Sequence, residues 1–314
     1  MEKYVFKRIV QLVPILFGLS FMVFGLLYLS PGDPALKYLT QREEGVSREE
    51  LALVRQRMGL DRPFAVRYGQ WLFNVLRGDW GLSYRDGRPV SEKLRKAAGY
   101  TAALASAAMV LSLLVSTPLG VLAAVRHGTA VDGLIRRISF VGNSMPNFLV
   151  SVVLMYLLCI RTRIFPVIAR GTLQGLTLPV LAVSVPVSGR FIRQIRAEVL
   201  EQLGCGWVTA MRARGVKERF ILCSNVLHNA AGPILTVVGL SVGTLLGGSV
   251  VVETIFRWPG LGKLAMDAIR ARDYPVVLGF VLLTAVFYVG INLLTDVAYH
   301  LFDPRIELKE KAEP

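Results

Sequence analysis

The chain predicts an all-α membrane protein with six transmembrane helices, an external helical cap after the first span, and a basic cytoplasmic helix between the fourth and fifth. Three observations carry this. Uncharged apolar runs recur along all 314 residues, at 9–32, 97–125, 138–160, 171–189, 220–252 and 274–295. Each is at or near the roughly 20 residues that cross about 30 Å of hydrocarbon. Lysine and arginine bracket the runs, and no composition shift marks off a second large domain.

The first run is long, and no small-residue cleavage pattern follows it at Ser30-Pro31-Gly32-Asp33-Pro34, so it reads as a retained span rather than a signal peptide. Basic residues in short loops orient the rest. Lys3, Lys7 and Arg8 precede the first span, Arg126, Arg136 and Arg137 lie between the second and third, and Arg190, Arg193, Arg196, Arg212, Arg214, Lys217 and Arg219 lie between the fourth and fifth. Both termini are then cytoplasmic. Against this count, Arg161, Arg163 and Arg170, and also Arg257, Lys263, Arg270 and Arg272, fall in loops assigned outside.

Residues 33–96 form the external segment. Ser47 with Glu50 makes a capping box, Leu51, Val54 and Met58 follow on one helical face, and Gly59 supplies a stop. Asp61-Arg62-Pro63 opens a second helix carrying Phe64, Tyr68, Trp71, Leu72 and Val75 as far as Gly78, and Arg85-Asp86-Gly87 is a turn. This cap is either a lid packed on the bundle or a docking surface.

The third run contains Asn143-Ser144-Met145-Pro146-Asn147. Proline breaks the backbone ladder, and the two asparagines either re-satisfy it or line a watery path. The fifth run carries Gly239, Gly243 and Gly247 at four-residue spacing, a face on which helices approach closely, within the subunit or against a second one. Ahead of it, Trp207 to Arg219 reads as a basic helix ending at Gly215, without catalytic residues, held where a soluble partner can grip it.

Several function classes are excluded. The net charge of +14 is spread around apolar spans rather than gathered with aromatic platforms, which argues for topology and anionic-lipid contact and against nucleic acid. Cys159, Cys205 and Cys223 are scattered, and His127, His228 and His300 all map near the cytoplasmic surface, so neither a disulfide framework nor a metal site is supported. Glu253 and Asp296 lie at span ends, leaving no nucleophile and base pair for intramembrane enzymology. Gly260-Leu261-Gly262-Lys263-Leu264 lacks the first glycine and the hydroxyl residue of a phosphate-cradling loop, so no ATP site and no cofactor are expected. A receptor or scaffold would share the spans and the basic loop, but would not need a kinked third span and a glycine face together.

Thr209-Ala210-Met211-x-x-x-Gly215 followed by Leu227 is similar to the cytoplasmic coupling loop of ATP-binding-cassette importer permeases. Gly32-Asp33-Pro34, Met58-Gly59-Leu60-Asp61, Gly81-Leu82-Ser83, Ser144-Met145-Pro146-Asn147-Phe148, Arg272-Asp273-Tyr274-Pro275-Val276 and Asp303-Pro304-Arg305 extend the match over nearly the whole chain. Together they resemble the B-type subunit of the dipeptide, oligopeptide and nickel branch. The general loop motif has Glu at Thr209, Ala at Met211, Ile at Asn225 and Pro at His228, and this chain departs from it at all four.

The resemblance implies a bacterial cytoplasmic-membrane permease. It divides as 1–32 for the N-terminus and first span, 33–96 for the cap, 97–302 for a five-span core with the coupling loop at about 193–232, and 303–314 for a cytoplasmic tail. Thr209, Ala210, Met211, Arg212, Ala213, Arg214 and Gly215 would couple to the ATPase. A second permease subunit, two ATPase subunits that hydrolyse the ATP, an extracytoplasmic binding protein and the lipid bilayer are the implied partners. Gly32-Asp33-Pro34-Ala35-Leu36-x-Tyr38-Leu39 looks closer to nickel permeases than to dipeptide permeases, which makes nickel, free or chelated, the first cargo and peptides the alternative.

Overall fold

The computed structural model describes residues 2–40, 47–169 and 171–302, and these are predominantly helical. Arg170 and residues 303–314, with Asp303-Pro304-Arg305, lie outside the described residues. The order is α1 (Glu2–Leu29), α2 (Pro34–Thr40), α3 (Arg48–Arg57), α4 (Phe64–Leu76), α5 (Val90–Val125), α6 (Ala130–Ser144), α7 (Asn147–Leu154) running into a π-helix (Met155–Arg161), α8 (Leu173–Leu203), α9 (Gly206–Ala213), α10 (Glu218–Phe220) running into a second π-helix (Ile221–Val226), α11 (Leu227–Ile255), α12 (Leu261–Ala271) and α13 (Tyr274–Phe302). Among the described residues five stretches are helical, long and apolar enough to cross a membrane, and the bent pair α6–α7 makes a sixth if counted as one span.

The described residues pack as two compact units, one falling within 1–101 and 259–289, the other within 102–258 and 290–314. In the first, the expected caps and stops of the external segment are present. The Glu49 amide donates to Ser47 Oγ and the Ser47 amide to Glu50 Oε2, both at 3.3 Å. At the other end of α3, Gly59 takes a left-handed φ of +65°, and the Gly59 and Leu60 amides close back on Gln56 and Arg55.

α4 follows Pro63 as expected, but it does not lie clear of the first span. Phe64, Tyr68 and Trp71 interleave with Phe17, Phe21, Phe24 and Tyr28, and Ser20 Oγ and Tyr68 OH are 3.0 Å apart in a buried contact. Edge-to-face aromatic pairs add roughly 0.5–1.5 kcal/mol each beyond area burial, which draws α4 down beside the middle of the first apolar run. Elsewhere in this unit, Asp273 is buried and accepts from Ser83 Oγ and the Tyr84 amide (2.8 Å), tying the 81–84 turn to the start of α13.

The second unit is built around α8, whose Phe191, Ile195 and Val199 form a core with Val208, Ile221 and Val226. α8 runs well past the apolar 171–189 stretch, so Arg190, Arg193 and Arg196, read as loop residues, ride on the same helix. The close crossings are made by glycines that the four-residue spacing did not mark. A Cβ on Gly189 would sit 2.5 Å from the Ser139 carbonyl oxygen and 2.7 Å from the Asn143 amide, and one on Gly120 would sit 2.9 Å from Ile195 Cβ. At the α6–α8 crossing, buried Asp132 takes Arg196 Nε at 2.7 Å and Nη2 at 2.9 Å.

Candidate functional site

α9 is an eight-residue helix with two unlike faces. Val208 is buried, and Trp207 and Met211 pack half-buried on the cluster of Ile195, Ile221 and Val226. Thr209, Ala210, Arg212, Ala213 and Arg214 are exposed. The helix therefore hangs on its apolar side and offers a small-residue, cationic face outward.

Its end is fixed by backbone geometry. Gly215 has φ +77°, its amide donates to the Arg212 carbonyl (2.9 Å), and the Val216 amide donates to the Met211 carbonyl (3.1 Å). That is the two-bond closure in which a left-handed residue satisfies carbonyls left over at a helix end. Val216 then turns back onto the core.

The charges on this face are not all free for a partner. Arg212 makes a forked pair with Glu218, at 2.6 and 3.2 Å, and each raises or lowers the other's pKa toward the charged form. Both side chains are exposed, so the pair is a water-screened positioning contact rather than a source of stability. Arg214 and Arg219 are exposed as well.

The other residues singled out in the sequence fall at the α6–α7 break. α6 ends at Ser144, Met145 is extended (ψ 122°), Pro146 caps α7, and the axes bend by 99°. The third run is thus not one kinked helix over 138–160: the extended Met145-Pro146 pair separates two helices, and the first begins at Ala130. Asn143, Met145 and Asn147 are half-buried, and Ser144 and Pro146 are exposed. Asn147 Nδ2 donates to the Gly248 carbonyl at 3.4 Å, and the amide of Asn143 lies against Gly189.

On α11, Gly243 is buried, Gly239 is half-buried and Gly247 is exposed with nothing within 4 Å of a Cβ placed on it. The close approach in this region is at Gly248, where a Cβ would stand 3.0 Å from Asn147 Nδ2. Sequence reasoning missed the buried carboxylate Asp132, took Asp273 only as part of a motif, and read Glu253 as a span-end residue, whereas all three are buried. Only Asp132 carried a local signal: Thr129 three residues ahead caps the helix that presents it. Among the described residues no group of three or more His, Cys, Asp or Glu could hold a metal ion.

Residues 116–308 match the family model described as binding-protein-dependent transport system inner membrane component, and residues 1–105 match the N-terminal membrane component of the same systems. The chain is 35% identical to the oligopeptide transport system permease protein AppB of Bacillus subtilis over 98% of its own length and 100% of that relative's. It is 36% identical to the nickel import system permease protein NikB of Staphylococcus aureus over 98% and 92%. Among solved structures, the inward-facing MetNI methionine ABC transporter superposes with a TM-score of 0.57 over 67% of this chain and 96% of that one, at 17% identity, a likeness of fold.

Proposed function

The chain belongs to the binding-protein-dependent transport system inner membrane components, and from that premise we propose that it forms half of the translocation pore of an ATP-driven importer. The single observation that carries the coupling role is α9, anchored by Val208 and capped by Gly215 with its outer face exposed. In this reading α9 seats on a separate ATPase subunit. Closure of the ATPase pair moves α9 as a rigid lever, and the spans follow by alternating between outward and inward openings. A second permease subunit completes the pore, with the exposed Gly247 on a face available for packing against it. An extracytoplasmic binding protein delivers the cargo, and the Asn143 to Asn147 break is the candidate stretch of pathway.

The orientation puts both termini and α9 in the cytoplasm. It requires the bent α6–α7 pair to cross the membrane rather than re-enter, because a re-entrant pair would place α9 outside. With cysteine substituted at Arg163 and, separately, at Lys217, an impermeant thiol reagent on intact cells is expected to label only the former. Labelling of Lys217→Cys without permeabilisation would overturn the orientation.

For the cargo, nickel carried in an organic chelate is the first reading, supported by the Gly32-to-Leu39 stretch and the nickel relative. A bare ion would call for imidazole or thiolate ligands, whereas a chelate needs none from the pore. Small peptides are the second reading, favoured by the oligopeptide relative. In cells lacking this chain, nickel accumulation is expected to fall and to return on re-expression. Unchanged nickel accumulation with lost dipeptide uptake would replace the first reading by the second and leave the permease role standing.

A further inference from the structure

The first unit contains a cavity of about 540 Å³, within the range of roughly 300–1,000 Å³ typical of small-molecule sites. It lies among α1, α3, α4, the 80–87 turn and the start of α13. Its walls are aromatic, with Trp71, Trp80 and Tyr274 among them, and its charged lining residues are Arg57 and Arg67, with no carboxylate. Arg67 is the centre of it. The half-buried guanidinium stacks over Phe24 (5.9 Å) and Tyr28 (5.6 Å), and among the described residues no carboxylate pairs with it.

Arg67 also lines a second cavity, which shares Leu27, Tyr28 and Tyr274 with the first. Two acids line this one: Asp33 is committed to Arg55 at 2.7 Å, and Asp61 is exposed. Gly32, in the same wall, has room for no side chain, because a Cβ placed on it would run into the guanidinium of Arg272, which lies behind the wall rather than in it. A guanidinium held on aromatic faces with, among the described residues, no carboxylate beside it and only the Tyr84 hydroxyl as a polar partner suits an anionic oxygen, and a carboxylate meets the guanidinium fork with two parallel bonds.

We propose that this aromatic, arginine-lined cavity of the first unit binds a small organic molecule through its carboxylate, with Arg67 as the anchoring residue. The aromatic walls take the apolar body, and Asn74 and Gln70 are also in the lining, the Gln70 Oε1 already accepting from Arg62 Nη1 at 2.6 Å. Burial raises the Tyr84 phenol above its ordinary pKa, against the pull of the Arg67 guanidinium hydrogen-bonded to it. Arg57 and Arg67 repel a bare divalent cation. The site deepens the importer reading and rests on it: a free peptide and a carboxylate chelator of nickel share this chemistry.

The test is calorimetric titration of the assembled importer, purified without its binding protein, with trialanine, trialanine amide, nickel citrate and nickel chloride. Saturable binding is expected for the acid or for nickel citrate, with the one that binds identifying the source of the carboxylate. Trialanine amide should bind at least about tenfold more weakly than trialanine, the loss expected for one charge-assisted hydrogen-bond pair. Arg67→Gln should weaken binding similarly, with Arg67→Lys intermediate. Arg57→Gln, at the exposed second arginine of the lining, should weaken it in the same direction by less. Equal binding of acid and amide, indifference to both arginine substitutions, or tighter binding of nickel chloride than of any carboxylate would overturn the proposal. Absence of any binding by a complex that still performs ATP-driven uptake would remove this site alone, whereas absence of uptake by an assembled complex would remove the importer reading.

Discussion

Gly215→Val is expected to reduce ATP-driven uptake to background while leaving the permease in the membrane at wild-type abundance. A Cβ at Gly215 meets nothing within 4 Å, so the substitution has room and its cost is in the backbone. At φ +77° an L-residue loses roughly 1–2 kcal/mol, and a β-branched one more. α9 has only eight residues, so beyond the packing of Trp207, Val208 and Met211 it has few backbone bonds of its own to offset that cost. The bonds from the Gly215 and Val216 amides to Arg212 and Met211 open first, and the exposed face loses its shape. Gly215→Asn, which tolerates the left-handed region, should retain most uptake, and this separates backbone conformation from side-chain bulk. The measurement is uptake into energised vesicles divided by the amount of permease. Wild-type uptake by Gly215→Val would refute the coupling role assigned to this helix end.

The same helix also illustrates what was legible in advance. Glycine-terminated ends, the Ser47 and Glu50 box and the Pro63 start are local devices, in which every interacting group lies within a few residues, and they stand in the structure where the sequence placed them. The pairings that hold each unit together are not local. Arg196 finds Asp132 across 64 residues, Asn147 finds Gly248 across 101, and Ser83 finds Asp273 across 190. No spacing rule reports them. Glycine spacing marked a helix face but not its neighbour, so Gly247 faces open space while Gly189, outside the pattern, sits at the tightest part of the α6–α8 crossing. The 97–125 and 274–295 runs were legible as spans, but the downward reach of α4 was not, because aromatic residues of an amphipathic helix look alike whether they cover a bundle or sink into it.

Arg196→Met is expected to destabilise the second unit by about 3–5 kcal/mol, the cost typical of stranding one member of a buried ion pair. Asp132 is 1% exposed and Arg196 16%, so solvent cannot take over the bond. What remains after the substitution is the Gly128 amide at 3.1 Å and Arg136 at 3.6 Å, and Arg136 is 59% exposed and screened. The carboxylate is then buried with a fraction of its former partners, at the crossing where Gly189 lets α6 and α8 approach too closely for a side chain. Separation of α6 from α8 is the relief, and α8 also carries the core on which α9 rests. Thermal unfolding of a membrane complex is commonly irreversible, so the appropriate reading is the rate of loss of folded permease at one fixed temperature. That rate should rise by tenfold or more in Arg196→Met. The double variant Asp132→Asn with Arg196→Met removes the stranded charge while keeping an acceptor for Gly128, and should recover part of the loss through coupling between the two sites. If the single and double variants decay equally fast, the ion pair is not what holds the crossing, and helix packing around Gly189 and Gly120 carries it instead.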